Sequence, residues 1–143
     1  MPGRDRHCRT ARSGRCRPHP DGSCAVAVSR RSVLDWLNDI IAWGERLEGH
    51  LAGVSYEGFL NDPKTQDAAA KCAEAIGVAA NELAKLDPTL EARFPELQLG
   101  LAYRARNKLS HGYYMVEQQI VWTTVTISIP QTVAAARRAK YLF

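Results

Sequence analysis

From Val33 onward the apolar residues recur every three or four positions, at Val33, Leu37, Ile40, Ile41, Leu47 and Leu51. That spacing puts them on one face of a helix. Ser32, with Asp35 three residues later, reads as a variant capping box, so the first helix should begin there and run to about Leu51. Trp36 and Trp43 share a stripe of this helix and read either as core or as an oligomer face, core being the simpler reading. His50 falls near the helix end, where it reads as a cation compensating the dipole or as a bystander. Gly53 and the segment to Leu60 form a connector with one helical turn. Asp62-Pro63 then supplies an N-cap and a first-turn proline. Ala69, Cys72, Ala73, Ile76, Ala80, Leu83 and Leu86 mark a second long helix, ended by Asp87-Pro88. Its many small residues permit close helix approach, and Cys72 lies on its apolar face as a core residue. After a turn containing Phe94-Pro95, a third helix should run from about Glu96 to Ser110, with Gly112 as its breaker.

The chain has 143 residues, the size of one domain, and no apolar run approaches the ~18 residues a membrane helix needs. Residues 1–30 are rich in Arg, Pro, Gly and Ser and carry no apolar periodicity. They are expected to be a disordered tail preceding a domain at 31–143, upstream sequence included by a misplaced start, with Val26 or Val28 as alternative beginnings. Cys8, Cys16 and Cys24, with His7 and His19, raise the possibility of zinc, but these cysteines stand eight residues apart whereas ligand pairs sit about two to four apart. No metal and no cofactor is therefore expected. The run at Cys24 to Val28 is too short for a signal-peptide core of ~7 residues or more, so a cytoplasmic protein without a membrane anchor is the default.

The net charge of +4 misleads until it is divided. Residues 1–31 carry +6 and residues 32–143 carry −2. Within the latter, residues 32–96 sum to −7 and residues 97–143 to +5. A basic segment of this kind attracts RNA phosphates or is an ordinary solvated face.

At the centre of the basic segment stands Arg106-Asn107-Lys108-Leu109-Ser110-His111-Gly112-Tyr113. Arg is a permanent cation with planar donors matched to phosphate oxygens, and His exchanges protons near neutrality. On a continuous helix, residues five apart are separated by about 140°. Arg106 and His111 then face one target only through the length of the Arg side chain, or because Gly112 turns the chain beside His111. The structural alternative puts Arg106 in an ion pair, His111 on the helix end and Tyr113 and Tyr114 against neighbours.

These residues resemble the Arg-x4-His-x-Tyr signature of HepT-like toxins in the HEPN superfamily. Ser32 to Asp35, Tyr56 to Leu60, Thr65 to Ala68, Glu74 to Gly77 and Val121 to Val125 follow the order and approximate spacing of that family, over roughly residues 32–135. One position departs from it: Val78 stands where the family often has an acidic residue. The resemblance implies an all-α, HEPN-type antiparallel bundle of about four main helices, forming a homodimer. It also bears on Ile120 to Ile129, where β-branched residues and the shared parity of Val121, Val125, Ile127 and Ile129 suggest a strand. The family implies instead a helix from about Val116 or Glu117 through the Pro130 region, with a kink at Pro130.

The resemblance further implies the toxin of a type VII toxin–antitoxin pair, a metal-independent endoribonuclease with tRNA as one candidate substrate. Arg106, His111 and Asn107 would be catalytic, and Arg104 and Lys108 would assist RNA binding, an exposed helix lysine being the plainer reading of Lys108. Tyr113 matches the tyrosine that accepts AMP from a cognate MntA-type nucleotidyltransferase antitoxin. The competing reading is a non-catalytic HEPN module that binds a nucleotide or a partner.

Overall fold

The computed structural model describes residues 17–18, 24–25, 30–112 and 117–143, with side chains at 30–109 and 117–143. Two units separate at Arg30. In the first, β1 (Arg17–Pro18) pairs antiparallel with β2 (Cys24–Ala25), Arg17 opposite Ala25 and Pro18 opposite Cys24. This rung replaces the expected lack of structure at those four residues. The His7, Cys8, Cys16 and His19 positions and the side chain of Cys24 lie outside the described residues.

The second unit is all-α, as the resemblance implies, including the stretch at 120–129 where the residue pattern alone suggested a strand. It holds α1 (Val33–Leu51), α2 (Tyr56–Leu60), α3 (Pro63–Leu86), α4 (Leu90–Arg93), a 3-10 turn at Pro95–Leu97 and α5 (Leu99–Gly112). A last continuous run comprises α6 (Gln118–Thr123), a π-helical stretch at Thr124–Ser128 and α7 (Ile129–Lys140). Four long helical runs result, the number expected. α3 is central, packing against α5 and α1, while α1 also packs against α7.

Helix ends follow local chemistry. Ser32 Oγ accepts from the Asp35 backbone N–H at 3.2 Å, and the Asp35 carboxylate accepts from the Ser32 N–H at 2.8 Å, completing the capping box. Asp62 caps α3 through the Thr65 N–H and hydroxyl, with Pro63 in the first turn. The third long helix begins at Leu99 rather than Glu96, because Gln98 adopts a left-handed conformation (φ 49°) that separates the 3-10 turn from α5. It also runs through Gly112 instead of stopping at Ser110.

Val121, Val125, Ile129 and Val133 are buried at four-residue spacing, whereas Ile127 is 55% exposed. The core selects the helical period over the strand parity. The Thr hydroxyls remain satisfied: Thr123, Thr124 and Thr126 each donate to the carbonyl four residues back, at 2.6 to 2.9 Å. Such back-bonding tends to bend helices, and here it coincides with the widened π turn preceding Pro130.

Cys72 is buried, and burial raises its thiol pKa, so it is a core residue. Trp36 and Trp43 are half-buried against the core, with the Arg31 and Arg46 guanidinia 3.9 and 4.5 Å from their ring centres. His50 is exposed in the last turn of α1. No described helix is long and apolar enough to cross a membrane.

Leu37 is fully buried in α1, so Leu37→Ala should lower unfolding free energy by about 2 to 5 kcal/mol in urea titrations. Acid should act at the helix ends. The Ser32 N–H holds the Asp35 pKa low, and the Thr65 and Thr89 hydroxyls do the same for Asp62 and Asp87. Since the unfolded carboxylates titrate at about 3.9, between that pH and the lower folded values the unfolded chain binds more protons. Stability therefore holds above about pH 5 and falls as pH drops through the folded pKa values. Asp62→Asn keeps a capping acceptor without a titrating one, and thermal melts from pH 6 to pH 3 should show a shallower acid loss for it than for wild type.

Candidate functional site

α5 carries the charged residues of the central motif, and its packing sorts them into two faces. Arg106 faces α3, where Gly77 is buried beneath it. A Cβ added to Gly77 would lie 2.3 Å from Arg106 Cβ and 2.8 Å from the Ala102 carbonyl oxygen. The two helices are thus in backbone contact at the root of Arg106. The side chain then passes into a half-buried environment, where Nη1 donates to Asn107 Oδ1 at 2.9 Å. Arg106 Nε is buried and lacks a hydrogen-bond partner among the described residues. Leaving a buried donor unsatisfied costs on the order of 1 to 3 kcal/mol, more for a charged group. Gln118 Oε1, at the start of α6, is likewise buried and unpaired among the described residues.

Arg104 and Lys108 stand two residues to either side of Arg106, about 200° around the helix from it. Both are exposed, on the opposite flank of α5. There they rim a groove of about 200 Å³ between α5 and the α6 run, with an apolar floor that includes Leu101, Ala105, Ile120 and Val121. Leu101 and Ile120 are 45% and 55% exposed, high values for large apolar side chains. A second hollow of about 80 Å³ continues it toward Ala73 and Thr132.

Ion pairing narrows the basic region further. At the end of α7, Arg137 meets Glu45 at 3.1 Å and Arg138 approaches Glu96 at 3.9 Å. Among the described residues Arg104, Arg106 and Lys108 have no acidic partner, so the uncompensated positive charge concentrates on α5. No group of His, Cys, Asp and Glu suited to a metal ion occurs among the described residues.

The structure brings Arg106 and Asn107 together and separates both from Arg104 and Lys108. His111 lies within the helical part of α5, with its side chain outside the described residues, as is Tyr113 entirely. Because Gly112 is still helical, the chain does not turn beside His111, and the backbone positions of Arg106 and His111 diverge by about 140°. Val78 is 39% exposed on α3, immediately after Gly77. Glu74, one turn earlier, lines a shallow hollow with Lys71 and Leu109.

Sequence reasoning anticipated close helix approach to α3 from its small residues, Ala73, Gly77 and Ala80 among them, but not that Gly77 meets Arg106, and it missed the α5 groove. The groove had no signal in the sequence, since it depends on how far α6 stands from α5.

The profile of the family described as "Ribonuclease HepT-like" matches residues 40–139. A protein of Thermococcus cleftensis named "Probable ribonuclease HepT" is 34% identical over 101 residues, covering 71% of this chain and 89% of that one. One from Methanocaldococcus jannaschii, named "Putative RNase MJ0125", is 26% identical over 104 residues, covering 73% and 87%. No solved structure matches. The matched region covers most of the helical unit, Arg106 and Asn107 included, and the chain belongs to the HepT-like ribonuclease family.

Proposed function

We propose that the protein is a metal-independent endoribonuclease, the toxin of a toxin–antitoxin pair, acting as a homodimer through Arg106, Asn107 and His111. The observation that carries this reading is the Arg106 guanidinium, half-buried, held by Asn107 and without an acidic partner among the described residues. A phosphoryl oxygen is the acceptor that such a group is built to receive. Family membership supplies RNA as the substrate class.

In the reaction, the 2′-oxygen attacks the adjacent phosphorus and the 5′-oxygen departs. One group accepts the 2′-hydroxyl proton and another protonates the leaving oxygen. Arg106 stabilises the charge that builds on the phosphoryl oxygens, Asn107 holds the guanidinium, and His111 exchanges protons. One chain offers a single imidazole in the motif, and α5 aims positions 106 and 111 about 140° apart. A symmetric dimer presents two imidazoles and two guanidinia to one phosphate. Arg104 and Lys108, on the opposite flank of α5 above the groove, serve the approach of RNA and leave the reacting phosphate to Arg106.

Tyr113 is the proposed acceptor of AMP from a nucleotidyltransferase antitoxin. Added phosphate charge two residues from His111 repels an RNA phosphate and obstructs the site. The competing reading, a binding module that does not cut, draws on Val78, whose exposed side chain lacks the carboxylate often found there in the family.

Purified wild type should cut a mixed cellular RNA pool with a chelator present, while His111→Ala should not. Equal patterns from both would remove His111 from the mechanism, and cutting by neither would favour the binding module once intact mass had excluded a modified Tyr113. Arg106→Met should lower cleavage by about a hundredfold or more. Its melting temperature should match or exceed that of wild type, because an apolar chain of similar length replaces a buried donor that lacks a partner. A large loss of stability would instead make Arg106 a structural residue.

A further inference from the structure

We infer that Gly77 is a positioning residue for Arg106: the missing side chain at 77 sets where the guanidinium stands. This rests on the proposed role of Arg106 in cleavage. Among the described residues, two glycines in the helical unit occupy positions where a Cβ would come within 3.0 Å of a neighbour, Gly44 and Gly77. They differ in what they press against. At Gly44 all three nearest atoms belong to the side chain of Val133, on α7. At Gly77 the obstacles are Arg106 Cβ at 2.3 Å, the Ala102 carbonyl oxygen at 2.8 Å and Arg106 Cγ at 3.0 Å.

Ala102 and Arg106 are one turn apart on α5, so Gly77 abuts the turn from which the arginine projects. Neither a carbonyl oxygen nor a Cβ can swing aside by changing rotamer. Any side chain at 77 therefore moves the α5 backbone outward at this turn. The displacement passes directly to Arg106, whose Nε is buried and whose Nη1 is held by the adjacent Asn107. A shift of about 1 Å in a charge-stabilising group is enough to cost about a hundredfold in rate. It costs little in binding when the same RNA is held by other contacts.

The test compares Gly77→Ala with Gly44→Ala, an equally tight contact on another pair of helices. Melting temperature, kcat and KM on a short oligoribonucleotide cut by wild type, and the Arg Nε–H resonances in nitrogen-edited NMR spectra are measured for each. The Arg106 signal is identified by its loss in Arg106→Met. Both glycine variants should melt earlier. Gly77→Ala should lose about tenfold to a hundredfold in kcat with KM within about threefold, and should shift or broaden the Arg106 Nε–H signal. Gly44→Ala should keep wild-type kcat and leave that signal in place. A folded Gly77→Ala with the kcat and Arg106 signal of Gly44→Ala overturns the inference. If wild type does not cut RNA the ribonuclease reading fails, and if Arg106→Met cuts equally well the role of Arg106 in it fails; in both cases the NMR comparison still decides whether Gly77 positions the arginine. Should Gly77→Ala not fold, Gly77→Ala with Arg106→Gly carries the test. Recovery of a cooperative melt shows that the two positions compete for one space, and an equally unfolded double variant assigns the clash to the Ala102 carbonyl and overturns that competition.

Discussion

The backbone contact between α3 and α5 at Gly77 governs much else in this molecule. α3 buries Ala69, Ala73, Gly77 and Ala80, small side chains that let neighbouring helices come near its axis. The bulk of the core comes from elsewhere, from Leu37 and Ile40 of α1, Phe59 of α2, Leu83 at the far end of α3 and the Val121, Val125, Ile129 series. This division of labour lets α3 serve as the central helix while touching two others. It also turns the root of a charged residue into a packing element. Arg106 is fixed at its base by steric contact and at its tip by Asn107, which leaves the side chain little conformational freedom.

α5 is packed on one flank and open on the other. Its α3 face is tightly filled, whereas the opposite face borders two hollows shared with α6, the π stretch and α7. The charges follow the same division, with Arg106 on the packed side and Arg104 and Lys108 above the groove. The arginines of α7 contribute less free charge than the composition of residues 97–143 suggests, because Glu45 and Glu96 accompany them. Exposed pairs of this kind contribute little to stability, but they leave α5, with Arg104, Arg106 and Lys108, as the described helix with the most cations outside an ion pair.

The π stretch resolves a conflict between local preference and packing. Residues 123–126 are rich in Thr and Val, which favour extended backbone by propensity. In the helix their methyl groups meet the core through Val125, and their hydroxyls return to carbonyls one turn back. A strand here would have no neighbouring strand among the described residues of the unit, leaving its backbone groups unpaired.

The sequence by itself determined the helical period of α1 and α3, their capping residues Ser32 and Asp62, and the burial of Cys72. Each of these depends on residues within a turn or two of one another, where spacing and side-chain chemistry suffice. The motif resemblance carried the helical reading of 120–129, which local propensity opposed. Tertiary structure alone decided that Arg106 faces α3 while Arg104 and Lys108 face the groove, that α5 starts after a left-handed Gln98, and that its helix continues past His111. Those outcomes depend on which helix lies against which flank and how closely. Distances between segments far apart in the chain are fixed by the filling of the whole core and cannot be read from any one segment.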